Sequence, residues 1–446
     1  MDGVLIALEA LVVLGAIVMG TRSSGVGLGI WGGVGVLVLV FVFGLEPGSA
    51  PTDAMLIIIA VVTSAGMMQV SGGIDWMVSV AAKAIANHPK QITLIAPLMA
   101  FLFSVGAGTS NVLYPLMPVI YDVSYRNGIR PSRPLSLSVV VTGVALACSP
   151  VSAAMAAMVT LTDVTPYDFD LVSILAVTIP AALIGIVLTS LVVRRLGPEL
   201  ADDAEYQRRI AGGELEPPGS GEQVEVTATT QGRNAAVIFL GAVALIVVFG
   251  LFPDLRPQIE GDDGTTPVSM TVTIQLLMFL AGAVMMLVCR PNVSEVSNSK
   301  VFKAGIVSAI ALFGLAWLTD TFISAHEDEI VDTVGEWVNN ASWIFFIAIF
   351  IVCALTTSQS TATRTIVPIG LAAGLSPALV TGMWAGSFSG IYTLPTNGTQ
   401  IAAANFDLSG TTQLGTKLID HSFFIPMLVL ALTTAGSGSL IAVVFF

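Results

Sequence analysis

Charged side chains are scarce in this 446-residue sequence. Asp, Glu, Lys and Arg make up 11% of it, against 54% hydrophobic residues. Soluble domains carry about 25% charged residues, so this composition excludes an ordinary soluble protein. The net charge is −13 and no basic patch is present, so a nucleic-acid partner is not expected. Most of the excess acid falls between apolar runs, and we interpret it as a solvated acidic surface.

Cysteine and histidine are equally rare, with three of each. The cysteines, Cys148, Cys289 and Cys353, lie in apolar runs without metal-ligand spacing, so we expect no disulfide framework. The histidines lie at the edges of such runs and form no HExxH motif, so metal chemistry is unsupported. An intramembrane hydrolase would need a nucleophile and a base at the same depth, and that pairing is missing. We therefore predict neither an enzyme nor a bound cofactor.

Apolar runs of about 20 residues, long enough to cross a ~30 Å hydrocarbon core, recur along the chain. They predict an all-α polytopic membrane protein. The first run follows an acidic start without a small-residue cleavage pattern, so we interpret it as a retained helix. The predicted crossings are 4–20, 25–45, 54–71, 135–161, 171–193, 235–252, 270–289, 304–323, 378–405 and 421–445.

Two further apolar runs, 91–120 and 342–372, are interrupted by polar residues in the middle. An amphipathic stretch precedes each of them, at 73–90 and at 325–340. The stretch at 73–90 suits a position in the membrane interface. We predict that the two interrupted runs are re-entrant helical hairpins, each returning to its own side of the membrane.

The Lys and Arg residues orient these segments, because cytoplasmic loops collect basic residues. If both interrupted runs are hairpins and the N-terminus lies outside, Arg256 is the only basic residue outside and Arg364 is the only one in the membrane. The inner loops then hold the other 15 of the 17 basic residues. Full crossings would move the later basic loops to the opposite side. The pattern thus predicts hairpins, both termini outside and a cytoplasmic loop at 194–234, with a short helix at 200–211 followed by a flexible linker.

The order of features in the first half recurs in the second. "TSNVLYPLMPVI" aligns with "QSTATRTIVPIG", so that Ser110 falls on Ser360 and Pro118 falls on Pro368. Downstream, "ALACSPVSAAMAA" pairs with "IYTLPTNGTQIAA", so that Pro150 falls on Pro395. The first hairpin opens from the cytoplasm and the second from outside, so the repeat is inverted, as in secondary transporters with a site near the midplane. The predicted regions are N-terminal scaffold helices at 1–50, a first repeat at 51–195, a cytoplasmic linker at 196–234, further scaffold helices at 235–296 and a second repeat at 297–446.

Polar interruptions at membrane depth suggest a binding site, because non-helical backbone there must be buried or line a wet cavity. A helix N-terminus presents free N–H groups and a positive dipole end, which suits a carboxylate. Single hydroxyls such as Thr142 have a second interpretation, because Ser and Thr also bond a carbonyl one turn back or join helices. The candidate substrate-binding residues lie at four interruptions: Thr109, Ser110 and Asn111; Ser149, Pro150 and Ser152; Ser358, Gln359, Ser360 and Thr361; and Pro395, Thr396, Asn397 and Thr399.

Arg364 lies about one helical turn beyond the second hairpin tip, roughly 6 Å along the axis. An arginine at membrane depth is a functional hypothesis by default, and its planar guanidinium fits a carboxylate. The alternatives are snorkelling or a structural ion pair with Glu9, Asp320 or Asp407. Glu9 and Asp320 are themselves costly in apolar runs. For these two residues, ion coupling, a helix-packing bond and a subunit contact all stay open.

The sequence resembles the anaerobic C4-dicarboxylate (Dcu) transporter family over nearly its full length. Motifs that carry the resemblance include "GLGIWGGVGVLVL", "AGTSNVLYPLMPVI", "RPLSLSVVVTGVALACSPVSAA", "SQSTATR" and "LPTNGTQIAA". It implies exchange of fumarate, succinate, malate or aspartate across a bacterial inner membrane. It also implies kinship with an ion-transporter superfamily of homodimers that work by an elevator motion.

Carried over residue by residue, the resemblance implies that Ser110 and Asn111 form one tip and that 358–361 forms the other. Ser149-Pro150 and the 395–399 stretch would be unwound helix segments, and Arg364 would be the substrate cation. The chain departs from the family pattern at 110, 360–361 and 364, where the family more often has Gly, Ala-Ala and Lys. The positive charge is kept, so anion binding is still expected.

An alternating-access dicarboxylate exchanger is therefore the leading hypothesis. The main alternative is sodium- or proton-coupled uptake of a dicarboxylate or related organic anion, because oxygen atoms at the hairpin tips would suit Na⁺. A channel fits less well, since two hairpins that meet once, without a ring of charge, resemble a carrier site.

Overall fold

The computed structural model describes all residues except 1, 24–25, 165, 216, 218–227, 262–263, 327–328, 330–340, 396 and 416–419. Most of the predicted amphipathic stretch at 325–340 and much of the predicted linker therefore lie outside the described residues, as does the candidate residue Thr396. The described chain is mostly helical.

The α-helices are described here in chain order. They are α1 (Asp2–Ser23), α2 (Gly27–Phe41), α3 (Thr52–Val70), α4 (Gly73–Asn87), α5 (Ile92–Ala107), α6 (Met117–Arg126), α7 (Ser132–Ala145), α8 (Ala153–Thr162), α9 (Leu171–Val193), α10 (Ala204–Ala211), α11 (Thr230–Leu251), α12 (Met270–Cys289), α13 (Lys300–Ala325), α14 (Trp343–Thr356), α15 (Gln359–Ala372), α16 (Pro377–Ser387), α17 (Gly398–Phe406) and α18 (Phe424–Phe445). A small antiparallel sheet, β1 (Gln258–Gly261) with β2 (Gly264–Pro267), joins α11 to α12. The residue pattern did not predict this sheet.

The helices are long and apolar enough for a multi-pass membrane protein, which confirms the predicted class. In the described part of the chain, α3 and α4 form a pair bent by 70°. The predicted crossings at 171–193 and 270–289 coincide with α9 and α12. Seven helical stretches among the described residues are long and apolar enough to span a bilayer: Pro89–Ala107, Ser132–Thr162, Leu171–Val193, Thr230–Leu251, Met270–Cys289, Lys300–Ala325 and Phe424–Phe445.

The two segments that contain Pro150 and Pro395 are broken, as their sequences predict, whereas Pro97, Pro180 and Pro368 lie inside continuous helices. After α7 the chain makes a 3₁₀ turn at Leu146–Cys148 and resumes as α8. After α16 it makes a 3₁₀ turn at Phe388–Tyr392 and resumes as α17. Pro150 and Pro395 lie between the turn and the next helix, where a residue without an N–H group removes a bond from the helical ladder.

The helices pack into two groups. The first contains α1, α2, α3, α11, α12 and α13. In it, α2 and α13 approach so closely that a Cβ atom on Gly314 would lie 1.8 Å from the carbonyl oxygen of Gly29. The second contains α5, α7, α9, α16 and α18. The helices α8 and α15 pack on each other, and both contact α13, so they lie where the two groups meet.

The predicted short helix at 200–211 is present as a 3₁₀ turn at Leu200–Asp202 followed by α10. It is docked on the membrane-spanning part. The Tyr206 hydroxyl donates to the Tyr125 hydroxyl in α6 at 3.2 Å, and Arg209 Nη1 donates to the carbonyl oxygen of Ser409 at 2.9 Å. Asp203 caps α10 and pairs with Arg130 at 2.6 Å. The connection between the halves is therefore fixed to both of them by α10.

Candidate functional site

Each interrupted run contains a helix–break–helix. In the first, α5 ends at Gly108, whose φ of +65° is left-handed. Thr109 is extended, and its hydroxyl accepts the N–H of Asn111 at 3.2 Å before a 3₁₀ helix at Ser110–Leu116. We call this the first break.

In the second run, α14 ends at Thr357, which is left-handed with φ +50° although it is not glycine. Ser358 is extended, and its hydroxyl accepts the N–H of Thr361 at 3.2 Å and the Thr361 hydroxyl at 2.8 Å. The helix α15 then begins at Gln359. We call this the second break.

The two breaks share one backbone sequence: a left-handed residue, an extended cap, then a helix. This geometry aligns Gly108 with Thr357 and Thr109 with Ser358. Ser110 consequently aligns with Gln359, so the predicted alignment of Ser110 with Ser360 is wrong by one residue. Pro118 and Pro368, which the predicted alignment also matched, lie further along the chain, in α6 and α15, and do not fix the alignment at the breaks.

The breaks meet at a cavity of about 280 Å³, which we call the tip cavity. Apolar side chains of α3 and α13, such as Ile57, Val61 and Ala304, form one wall. Such a volume lies below the roughly 300–1,000 Å³ of drug-sized pockets, so it suits a ligand of few atoms. The predicted site residues that line it are Thr109, Ser110, Asn111, Ser152, Ser358, Gln359 and Ser360.

Other predicted site residues lie outside the lining and hold it in place. The Ser149 hydroxyl donates to the carbonyl oxygen of Val105 at 2.6 Å and so ties the broken α7–α8 segment to α5. The Asn397 side chain accepts both the N–H and the hydroxyl of Thr399, at 3.0 and 2.8 Å, and caps α17. Pro150 and Pro395 break their helices without lining the tip cavity. These residues do not line the tip cavity. They fix or interrupt the backbone of the broken helices instead.

Buried polar groups that the residue pattern missed connect the halves. The hydroxyls of Tyr392 and Thr142 lie 2.9 Å apart. Gln400 donates to the carbonyl oxygen of Tyr392 at 3.0 Å and accepts the N–H of Asn397 at 3.2 Å. The spacing of Asn397 and Gln400 is that of a capping box, which was the available signal for Gln400. Thr142 donates to the carbonyl oxygen of Val139 one turn back and contacts Tyr392 of the other half, so both of its bonds fit its second interpretation.

At the site, helices of each half of the chain pack on helices of the other half. The helix α15, which follows the second break, packs on α8 of the first broken segment. The helix α17 of the second broken segment packs on α6 and on the Ser110–Leu116 turn that follows the first break. Each half thus places its break against the broken helix of the other.

Arg364 is 2% exposed, and its Nε and Nη2 have no hydrogen-bond partner among the described residues. It does not line the tip cavity. It lines a second space of about 190 Å³ between α8, α13 and α15, which we call the Arg364 cavity. Ser360 of the tip cavity lies one turn before Arg364 on the same helix face. Long helical side chains lean toward the N-terminus of their helix, which for α15 is the end at the tip cavity.

None of the three acids considered as structural partners of Arg364 forms an ion pair with it among the described residues. Glu9 is buried and bonds the His326 ring at 2.5 Å. Asp320 accepts the N–H of Ser49 at 2.6 Å. Asp407 accepts the hydroxyl of Thr411 and the N–H of Thr412, each at 2.7 Å. Glu9 and His326 tie α1 to α13, which gives Glu9 a packing role that its sequence position left open.

The fold has a counterpart among solved structures. It is similar to the crystal structure of the Alcanivorax borkumensis YdaH transporter, with a TM-score of 0.56 and 15% sequence identity over 86% of this chain and 84% of that one. The chain belongs to the anaerobic C4-dicarboxylate membrane transporter family, whose profile matches residues 5–446. This family consists of transporters, not enzymes, and the resemblance predicted from the motifs is confirmed.

Two characterised relatives show how far the similarity extends. The chain is 36% identical to the anaerobic C4-dicarboxylate transporter DcuB of Escherichia coli O6:H1, over 95% of this chain and 96% of that protein. It is 33% identical to the C4-dicarboxylate transporter DcuA of Escherichia coli strain K12, over 95% of each. The likeness therefore spans both breaks and both broken helices.

Proposed function

We propose that the protein is a secondary active transporter that exchanges C4-dicarboxylates, namely fumarate, succinate, malate and aspartate, across the bacterial inner membrane. The observation that carries this proposal is the meeting of two capped breaks at one polar cavity, with an unpartnered buried arginine one turn away. The names of the family and of its relatives give the substrate class.

The site suits an ion with a negative charge at each end. Ser110, where the turn after the first break begins, and Gln359, where α15 begins, both line the tip cavity. The N-terminus of a helix or turn stabilises a carboxylate. The hydroxyls of Ser110, Ser358 and Ser360 supply further donors. Arg364 reaches one carboxylate by leaning toward Ser360, and a bidentate guanidinium–carboxylate pair adds strength and orientation.

The proposed mechanism is an elevator-type alternating access. The two breaks are the tips of re-entrant hairpins at 91–120 and 342–372, belonging to inverted repeats at 51–195 and 297–446. The hairpins and the broken helices at 135–161 and 378–405 carry the substrate against a scaffold that includes 1–50 and 235–296. The seam between the two packing groups, where α8 and α15 meet α13, is a natural sliding surface. Both termini lie outside, the 194–234 loop is cytoplasmic, and the transporter works as a homodimer.

Exchange follows from the charge of Arg364. A loaded site moves across the membrane with its guanidinium neutralised by a carboxylate, whereas in an empty site the guanidinium has lost that partner and is left to pair with the protein itself. Return is therefore fast only with a second substrate bound. Anaerobic respiration, in which one dicarboxylate enters as another leaves, needs this stoichiometry.

Sodium- or proton-coupled uptake is the alternative. The oxygen atoms of Thr109, Asn111 and Gln359 around the tip cavity are ligands that Na⁺ accepts. Such a cation would compensate substrate charge and permit net transport without exchange.

Counterflow in liposomes tests the proposal. Vesicles containing the purified protein are loaded with succinate or left empty, and labelled fumarate is added outside with and without a sodium gradient. Exchange predicts uptake only into loaded vesicles, independent of sodium. Sodium-driven uptake into empty vesicles would establish the symporter instead, and uptake of neither kind would refute the dicarboxylate assignment.

Replacing Ser358 by alanine should raise the fumarate concentration for half-maximal counterflow by roughly fivefold. Loss of a cap costs about 1 kcal/mol, where 1.4 kcal/mol is tenfold. Here the lost cap frees the first turn beside the tip cavity. The matched control is Ser376→Ala, since Ser376 caps α16 in the same way but does not line the cavity. Equal effects of both variants would mean that the caps affect only folding.

A further inference from the structure

Arg364 and Asp320 have opposite charges and line the same cavity of about 190 Å³. Neither forms an ion pair with the other or with any other described residue. Arg364 lies on α15, beside the tip cavity, and Asp320 lies on α13, in the other packing group. A cation without an anion and an anion without a cation thus share one small space.

The Asp320 carboxylate is held beside this space by its surroundings. One oxygen accepts the N–H of Ser49 at 2.6 Å. The neighbouring backbone is fixed in turn, because Trp317 donates to the carbonyl oxygen of Gly48 at 2.8 Å and the Gly48 N–H donates to Thr321 at 3.1 Å. A carboxylate held in advance pairs with an approaching cation at little ordering cost.

A buried guanidinium needs an anion at each stage of a transport cycle. The substrate carboxylate serves while the site is loaded. When the substrate leaves, Asp320 is the acid that lines the cavity of Arg364. We propose that Asp320 is the counter-ion that Arg364 takes when the site is empty, and that this pair locks the empty carrier in place.

The lock rests on the proposed exchange function and explains how it is enforced. The pair joins the part proposed to move, α15, to the part proposed to stay, α13. A substrate carboxylate competes for the guanidinium, breaks the tie and frees the loaded carrier. Asp320 is therefore a positioning residue that decides between exchange and net transport, and it touches no substrate.

The test is Asp320→Asn in the vesicle assay described above. Asparagine keeps an oxygen for the Ser49 N–H but loses the charge. Net fumarate uptake into empty vesicles should rise at least tenfold, with counterflow into succinate-loaded vesicles within twofold of wild type. Asp320→Glu should restore exchange-only behaviour. Thr319→Val, an uncharged change in the same cavity, should leave the ratio of net uptake to counterflow unaltered.

The outcomes separate the lock from the function on which it rests. If Asp320→Asn stays exchange-only while wild type exchanges, the lock is overturned and the proposed function stands. If wild type fills empty vesicles as fast as loaded ones, exchange and lock both fall. If Asp320→Asn loses both activities at an unchanged melting temperature, Asp320 acts in transport itself and the lock is overturned. Asp320→Ser provides a second neutral variant should the asparagine protein not fold.

Discussion

Counterflow of fumarate against succinate should fall at least thirtyfold when Arg364 is replaced by alanine. Truncating one partner of a buried, hydrogen-bonded charge pair costs about 2–5 kcal/mol, and each 1.4 kcal/mol is tenfold. The loss should be largest for substrates with two ionised carboxylates. Arg364→Lys should retain part of the activity, because an ammonium keeps the charge without the bidentate geometry.

The stability of Arg364→Ala separates a substrate cation from a structural one. Removing one member of a buried ion pair destabilises a protein by about 3–5 kcal/mol. Arg364 has no such partner among the described residues, and an Asp320→Asn background removes the partner proposed for the empty site. In that background, removal of Arg364 should leave the melting temperature of the purified protein unchanged or raise it. Arg208→Ala, on the exposed face of α10, is the control for loss of a positive charge. An inactive variant with a much lower melting temperature would contradict the substrate role.

A second large effect is expected at Gly108. Replacing it by alanine should reduce counterflow at least tenfold, because its φ of +65° strains any side chain. A Cβ atom there would lie 2.7 Å from the carbonyl oxygen of Val151. Relief of that clash separates the first break from the broken α7–α8 segment, and two of the four interruptions then move apart.

Gly128→Ala is the matched control for Gly108→Ala. Gly128 has nearly the same conformation, φ +69°, but a Cβ atom on it would meet nothing within 4 Å. It should therefore show the strain without the displacement. Counterflow and the melting temperature are measured for both variants. If both lose the same activity, the contact between Gly108 and Val151 does not position the site.

Much of the helical layout follows from local properties of the sequence. Run length and hydropathy place α9 and α12 to the residue, because a bilayer sets the length of a spanning helix. Pro150 and Pro395 lie at the breaks that follow α7 and α16, where the missing N–H acts in the same segment. Pro97, Pro180 and Pro368 lie inside unbroken helices, so a proline alone does not place a break. Seven of the predicted site residues, which lie at the two breaks and at Ser152, line the tip cavity, because capping residues and glycines mark breaks in the local sequence.

The rest depends on contacts between distant segments. Glu9 looked isolated because its partner, His326, lies at the far end of α13. The α10 helix looked like part of a loose linker because its contacts are with α6 and with Ser409. The placement of Arg364 beside Asp320, in a cavity separate from the tips, depends on how α13 packs against α15. Sequence spacing does not carry such information.

The crossed packing of the halves has a consequence for how the gene arose. Because α15 lies on α8 and α17 lies on α6, neither half of the chain alone encloses the tip cavity. Under the proposed inverted repeat, an ancestor of one half's length would have formed this site only by meeting a copy of itself inserted upside down in the bilayer. Gene duplication and fusion would then have joined the two oppositely oriented copies in one chain. The sequences of the two halves could diverge from that point.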